Sequence, residues 1–158
     1  MKVLAIDPGY ERLGIAIIEK ENRGKEKLLF SECFQTKAAF PFPERLRQIG
    51  EEIEKIIKEY KPEFFAIEKL FFNKNQKTAM LVSESYGAIL QIAAKNNLEI
   101  REFTPPEIKV ATTGSGRADK RQIIQMLPKL LEIKEEIKHD DEYDAIAVGL
   151  TFFAVYRP

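Results

Sequence analysis

Val3-Leu4-Ala5-Ile6-Asp7-Pro8-Gly9 runs four apolar residues, without alternation, into one acid and then a Pro-Gly turn. A stretch apolar at every position suits a central strand covered on both faces. Asp7 then sits where that strand leaves the core, and Pro8-Gly9 reverses the chain. Leu13-Gly14-Ile15-Ala16-Ile17-Ile18 follows as the returning strand of a hairpin. A carboxylate at the centre of a sheet is costly unless a cation or hydrogen-bond donors compensate it. A metal site would supply that compensation, and a turn or capping aspartate is the competing reading. The heptapeptide leaves both open.

Working outward, Lys27 to Gln35 reads as a third strand that completes a meander. Phe40-Pro41-Phe42-Pro43 reads as a stiff connector, and Glu44 to Tyr60 as a helix with Leu46, Ile49, Ile53, Ile56, Ile57 and Tyr60 at helical spacing. Phe64-Phe65-Ala66-Ile67-Glu68 repeats the opening grammar, an apolar strand ending on one acid. A helical crossover makes it a parallel neighbour of the first strand, which puts Glu68 beside Asp7 at one sheet edge. Two acids in equivalent positions on adjacent strands favour a shared site.

The rest of the chain adds a helix over Thr78 to Asn96, whose small residues Ser83, Ser85, Gly87 and Ala88 permit close packing. A last strand runs from Leu98 to Phe103, and Thr104-Pro105-Pro106 opens a short helix with Thr104 as its cap. A glycine loop covers Thr112 to Ala118, and a helix from Asp119 to Ile133 is interrupted or ended near Pro128. Asp140 to Tyr156 is the final helix. The fold class is α/β, a five-stranded mixed sheet flanked by helices, with residues 1–158 forming one domain.

Composition narrows the function. At 158 residues with 44% hydrophobic and 32% charged residues, the chain suits a folded domain with a real core. No stretch reaches transmembrane length, no signal peptide is evident, and one cysteine, Cys33, excludes an internal disulfide framework. A cytoplasmic protein with no membrane partner is the expectation. Twenty-five basic and twenty-five acidic residues cancel, so a nucleic-acid partner would need positive charge clustered on one face.

The final helix opens Asp140-Asp141-Glu142-Tyr143-Asp144-Ala145-Ile146-Ala147. The helix dipole accounts for Asp140 and Glu142. Asp144 runs directly into an apolar body and is expected to point inward, where an acid needs a partner; Asp141 and Asp140 both share its face. Asp7, Glu68 and the Asp141/Asp144 pair make an oxygen-only ligand set, which selects Mg²⁺ or Mn²⁺ over zinc. Two ions roughly 3.5–4 Å apart can activate a water and stabilise the leaving oxygen of a phosphodiester.

Asp7-Pro8-Gly9 with Gly14, Ala66-Ile67-Glu68 followed by Phe71, Thr113-Gly114-Ser115-Gly116 with Ala118-Asp119-Lys120, and Asp141-x-x-Asp144-Ala145 together resemble the RuvC family of bacterial Holliday junction resolvases. The order and spacing match over essentially the whole chain. The resemblance implies an RNase H-like fold, a homodimer, and Mg²⁺-dependent paired nicking of four-way DNA junctions in recombination and repair. It implies a ligand set of Asp7, Glu68, Asp141 and Asp144, with Asp140 the alternative to Asp141, and products carrying a 5′ phosphate and a 3′ hydroxyl. Branch-migration partners of the RuvA and RuvB kind are implied as well.

For DNA binding, Phe71 matches the family position whose ring stacks on a base near the branch point, and Lys109 and Lys120 match its backbone-binding lysines. Lys74, Lys77, Arg117 and Arg121 extend the basic surface, with Lys120 also a candidate to stabilise charge on the scissile phosphate. The glycine loop before Asp119 offers backbone N–H groups to a phosphate but lacks Walker spacing. The helix over Thr78 to Asn96 is the candidate dimer interface. The alternatives are an RNase H-like nuclease acting on RNA, a non-catalytic junction-binding protein, and an actin-like kinase or ATPase, which would need a second such domain.

Overall fold

Alternation along the first strand decides which face each side chain takes. The computed structural model describes residues 1–21, 24–70 and 76–156. Strands β1 (Lys2–Asp7), β2 (Arg12–Glu19) and β3 (Lys27–Gln35) form an antiparallel meander, β4 (Phe64–Glu68) lies parallel to β1, and β5 (Glu99–Phe103) lies parallel to β4. The sheet order is β3-β2-β1-β4-β5, so the opening strand is central. Five helices complete the described elements: α1 (Phe42–Tyr60), α2 (Gln76–Lys95), α3 (Pro105–Thr113), α4 (Lys120–Leu130) and α5 (Asp140–Val155).

The two faces of the sheet are unequal. Leu4, Ile6, Ile15, Ile17, Phe65 and Ile67 pack against Ile49, Ile53 and Ile56 of α1 and Ile89 and Ile92 of α2. Val3, Ala5, Ala16, Ile18 and Ala66 face Ala145, Ala147, Val148 and Phe152 of α5. The alanines on this second face let α5 lie close. A Cβ on Gly149 would come within 2.7 Å of Ile18 Cδ1 and 3.0 Å of the Ala5 Cβ. Because strand side chains alternate faces, Asp7 follows Val3 and Ala5, and Glu68 follows Phe64 and Ala66, onto the α5 side. Burying one such large aliphatic or aromatic side chain contributes about 1.5–3 kcal/mol, so the five-stranded frame is held from both faces.

Some boundaries differ from expectation. α1 begins at Phe42 rather than Glu44, with Pro41 as its cap, because a proline in the first turn forfeits no helical hydrogen bond. α4 carries Pro128 inside its last turn and continues to Leu130. The Thr104 cap is observed: its hydroxyl accepts from the Glu107 N–H at 3.4 Å and the Glu107 carboxylate accepts from the Thr104 N–H at 2.7 Å. No described helix is long and apolar enough to cross a membrane.

Candidate active site

Asp7 and Glu68 end adjacent parallel strands, where Ile6 pairs with Ile67 one residue earlier. The N-terminus of α5 descends onto the same edge. Its closeness depends on Gly14, opposite Asp7 in the β1–β2 ladder, where any Cβ would lie 2.1 Å from the Asp141 carbonyl oxygen and 3.1 Å from the Asp7 Cβ. Glycine is therefore obligatory beneath both acidic elements.

Two contacts pin that N-terminus. Glu142 is buried, at 6% exposure, and accepts the Ser31 hydroxyl of β3 at 2.6 Å and the N–H groups of Lys138 and His139 at 3.2 and 3.0 Å. Dipole complementation at a solvated helix end, expected for Glu142, understates its role: it ties α5 to the sheet. Asp141 Oδ2 accepts from Arg12 Nε at 3.0 Å, from an Arg12 terminal nitrogen at 2.5 Å and from Cys33 Sγ at 3.6 Å. Cys33 is buried in β3.

The carboxylates feel one another. Burial, then the charges of Asp144, Glu68 and Asp141, push Asp7 well above the ordinary aspartate range. Burial and Asp144 likewise push Glu68 up, while Lys109 and Lys120 pull against them. Asp144 is raised by burial against the opposing pull of Lys120, whose Nζ donates to it at 2.8 Å. Asp141 goes the other way: burial is the largest single influence and would raise it, but the hydrogen bonds and charge of Arg12, a backbone hydrogen bond and the Cys33 thiol together hold it below its usual value. Asp140 is exposed, pairs with Lys120 at 3.5 Å and is absent from the charges that raise Asp7. The inner position of the pair thus falls to Asp141.

Glu68 and Asp144 line a cleft of about 270 Å³ together with Lys109, Lys120, Ile108 and Ile123. Lys109 and Lys120 come from α3 and α4, so sequence-distant lysines meet the acids here. Arg117 and Arg121 are exposed on the adjoining loop and on α4 but do not line this cleft. Phe71 and Lys74 lie outside the described residues, as does the side chain of Lys77. The glycine loop spends much of its donor capacity on itself. Ser115 N–H goes to Thr113 Oγ1, Arg117 N–H to Ser115 Oγ, Ala118 N–H to the Ser115 carbonyl and Gln122 N–H to Asp119. Among the small residues of α2, Ser85 is buried with its hydroxyl 3.5 Å from the Gly9 carbonyl oxygen, whereas Gly87 faces open space.

The donor set fits a hard divalent cation. It is all oxygen, and among the described residues neither Asp7 nor Glu68 receives a side-chain hydrogen bond that would offset its crowding. As placed, no three acidic, histidine or cysteine side chains among the described residues converge closely enough to hold an ion. Asp141 turns toward Arg12 and Asp144 toward Lys120.

Comparison with known proteins identifies the family. The family model described as crossover junction endodeoxyribonuclease RuvC matches residues 3–152. This chain belongs to the RuvC family. The RuvC of Desulfitobacterium hafniense is 43% identical over 150 residues, covering 95% of this chain and 90% of that protein. The RuvC of Alkaliphilus oremlandii is 45% identical over 150 residues, covering 95% and 91%. Among solved structures, Thermus thermophilus RuvC in complex with its Holliday junction substrate superposes with a TM-score of 0.89 at 29% identity, covering 97% of this chain and 93% of that one. The RNase H-like sheet expected from the sequence is thus the fold of the RuvC family.

Sequence reasoning located the acids by strand grammar and helix spacing. It missed Arg12, Cys33, Ser31 and the buried role of Glu142. Arg12 and Asp141 are separated by 129 positions, and nothing local to Arg12 distinguishes it from a solvated strand-end arginine. Glu142 did carry a signal, since it stands three residues after the helix cap at capping-box spacing.

Proposed function

We propose that this chain resolves four-way DNA junctions by paired symmetric nicks, with Mg²⁺ or Mn²⁺ held by Asp7, Glu68, Asp141 and Asp144. The observation that carries the reading is the placing of four acids from β1, β4 and α5 at one sheet edge, where among the described residues neither Asp7 nor Glu68 has a hydrogen-bonded cation. The junction complex of the Thermus thermophilus relative supports the choice of substrate. Bound divalent ions would supply water activation and stabilisation of the leaving oxygen.

The chain's own residues do the positioning. Asp7 and Glu68 hold the floor of the site on rigid strands, and α5 brings Asp141 and Asp144 across from them. Lys109 and Lys120 give the cleft wall positive charge where a phosphate must enter, which a neutral chain provides only locally. Lys120 is placed to neutralise the scissile phosphate, since partial burial works against its charge but Asp144 keeps it firmly protonated. A homodimer would present two such sites related by a two-fold axis, matching two symmetric cuts. Coupling to a RuvA–RuvB-like branch-migration machine completes the reading.

A cleavage assay on a synthetic four-way junction, beside linear duplex and RNA–DNA hybrid, tests it. Paired nicks in the junction alone, lost with EDTA, are expected. Asp7→Asn should lower cleavage by on the order of 10³-fold, the several kcal/mol that such metal chemistry supplies. Cutting of the hybrid instead would move the chain to RNA processing, and junction binding without any cutting would leave a binding module.

A further inference from the structure

Asp141 is the most heavily engaged acid of the set, whereas Asp144 receives a single lysine donor. The Asp141 Oδ2 receives two N–H groups of the Arg12 fork, at 3.0 and 2.5 Å, and the Cys33 thiol at 3.6 Å. A carboxylate oxygen has two lone pairs, so Oδ2 has no room for a further ligand while Arg12 remains. A guanidinium in contact with a ligand oxygen also repels any cation approaching it. Arg12 is itself only loosely housed. It opens β2 at the rim of the site, its side chain is 47% exposed, and among the described residues Asp141 is its one ion-pair partner. A planar fork held at the mouth of a phosphodiester-cleaving site matches the geometry of a phosphate as well as that of a carboxylate.

We propose that Arg12 is a DNA-binding residue that exchanges partners, resting on Asp141 in the ion-free chain and moving to a backbone phosphate of the junction once a divalent ion takes Asp141. The inference rests on Asp141 being a metal ligand. Arg12 then serves two ends with one side chain. It neutralises an acid that would otherwise repel the DNA before the ion is bound, and it becomes an added positive contact afterwards. Metal and DNA affinity are thereby coupled through a residue that never touches both partners at once. Lys120 pairs with Asp144 at 2.8 Å, so each α5 acid of the set carries its own cation.

The test separates metal binding from DNA binding and needs no turnover. Mn²⁺ is titrated calorimetrically into DNA-free wild type, Arg12→Gln, Asp7→Asn and Asp141→Asn. Binding of a synthetic four-way junction is then measured against salt concentration for wild type and Arg12→Gln, in EDTA and in Ca²⁺. Arg12→Gln should bind Mn²⁺ about twofold to fivefold more tightly, the gain from deleting an exposed competing ion pair. In EDTA the two proteins should bind the junction with equal salt slopes. In Ca²⁺ the slope for Arg12→Gln should be shallower by about 0.9, one phosphate contact. Weaker Mn²⁺ binding by Arg12→Gln would make Arg12 a mere support for Asp141 and overturn the exchange, as would equal slopes in Ca²⁺. If Asp7→Asn and Asp141→Asn leave the Mn²⁺ isotherm unchanged, the metal site itself is misplaced, a failure distinct from that of Arg12.

Discussion

At the scale of the residue, Asp7 illustrates a conflict between folding and function. It is held well above the ordinary aspartate value of 3.8 by burial first, and then by Asp144, Glu68 and Asp141. A carboxyl raised in the folded state binds more protons there than in the unfolded chain. Its stabilising share is complete below the ordinary value and is lost as pH rises through the raised one. At neutral pH without metal, Asp7 therefore works against the fold. Asp7→Asn should raise the EDTA melting temperature at about pH 7, by about 2–4 °C for each ~1 kcal/mol relieved. The gain should shrink as pH falls toward about 4. Thermal melts of both proteins across that range decide it; a lower melting temperature for Asp7→Asn at neutral pH would contradict the crowding. The acid itself was legible at the end of an apolar strand, but its perturbation comes from burial first and then from three partners spread over 137 positions, Asp7 to Asp144.

The element that assembles the site is α5. Its seating depends on glycines that read, in isolation, as ordinary strand or helix positions. Gly14 accommodates the Asp141 carbonyl, and Gly149 accommodates Ile18 and Ala5. The two should respond differently to alanine. At Gly149 the nearest atom is the tip of a flexible isoleucine, so Gly149→Ala should cost about 1–3 kcal/mol of overpacking, partly offset by the ~1 kcal/mol better helix propensity of alanine. Junction cleavage should survive. At Gly14 the obstacle is backbone, and α5 must lift off the edge that carries Asp7. Gly14→Ala should therefore abolish cleavage even where circular dichroism shows a folded protein. Denaturant melts paired with the junction assay distinguish the two effects. The final helix itself was read from its apolar body to within one residue, because its pattern is local; its depth over the sheet was not, because it is set by Ala5, Ala16 and Ala66 on other elements.

For the whole molecule, the central strand feeds two cores, one under α5 and one under α1 and α2. Since Val3 and Ala5 serve the first and Leu4 and Ile6 the second, neither core can be lost alone. We expect the chain to unfold as one domain, in a single thermal transition. Divalent ions that bind only the folded cluster should raise that transition. Saturation at 100 times the dissociation constant is worth about 2.7 kcal/mol, or about 5–11 °C for a chain of this size. Scanning calorimetry with and without Mg²⁺ measures it, and the shift should vanish in Asp7→Asn. Two separable transitions would divide the chain instead.

What the sequence by itself determined was every feature whose cause is local. Strand runs ending in Asp7 and Glu68, the proline-opened α3 with its Thr104 cap, and the i, i+3 spacing of Asp141 and Asp144 follow from alternation, helical period and capping chemistry. The order of the first four strands followed as well, because a hairpin is antiparallel and a helical crossover parallel; the place of β5 beside β4 came from the structure. Only the tertiary structure decided which acid of the Asp140–Asp141 pair faces inward, that Glu142 is a buried tether, and that Arg12 rests on Asp141. Each of those depends on two groups that the chain separates by more than a hundred residues, and such pairings are set by how α5 seats on the sheet rather than by either residue's neighbours.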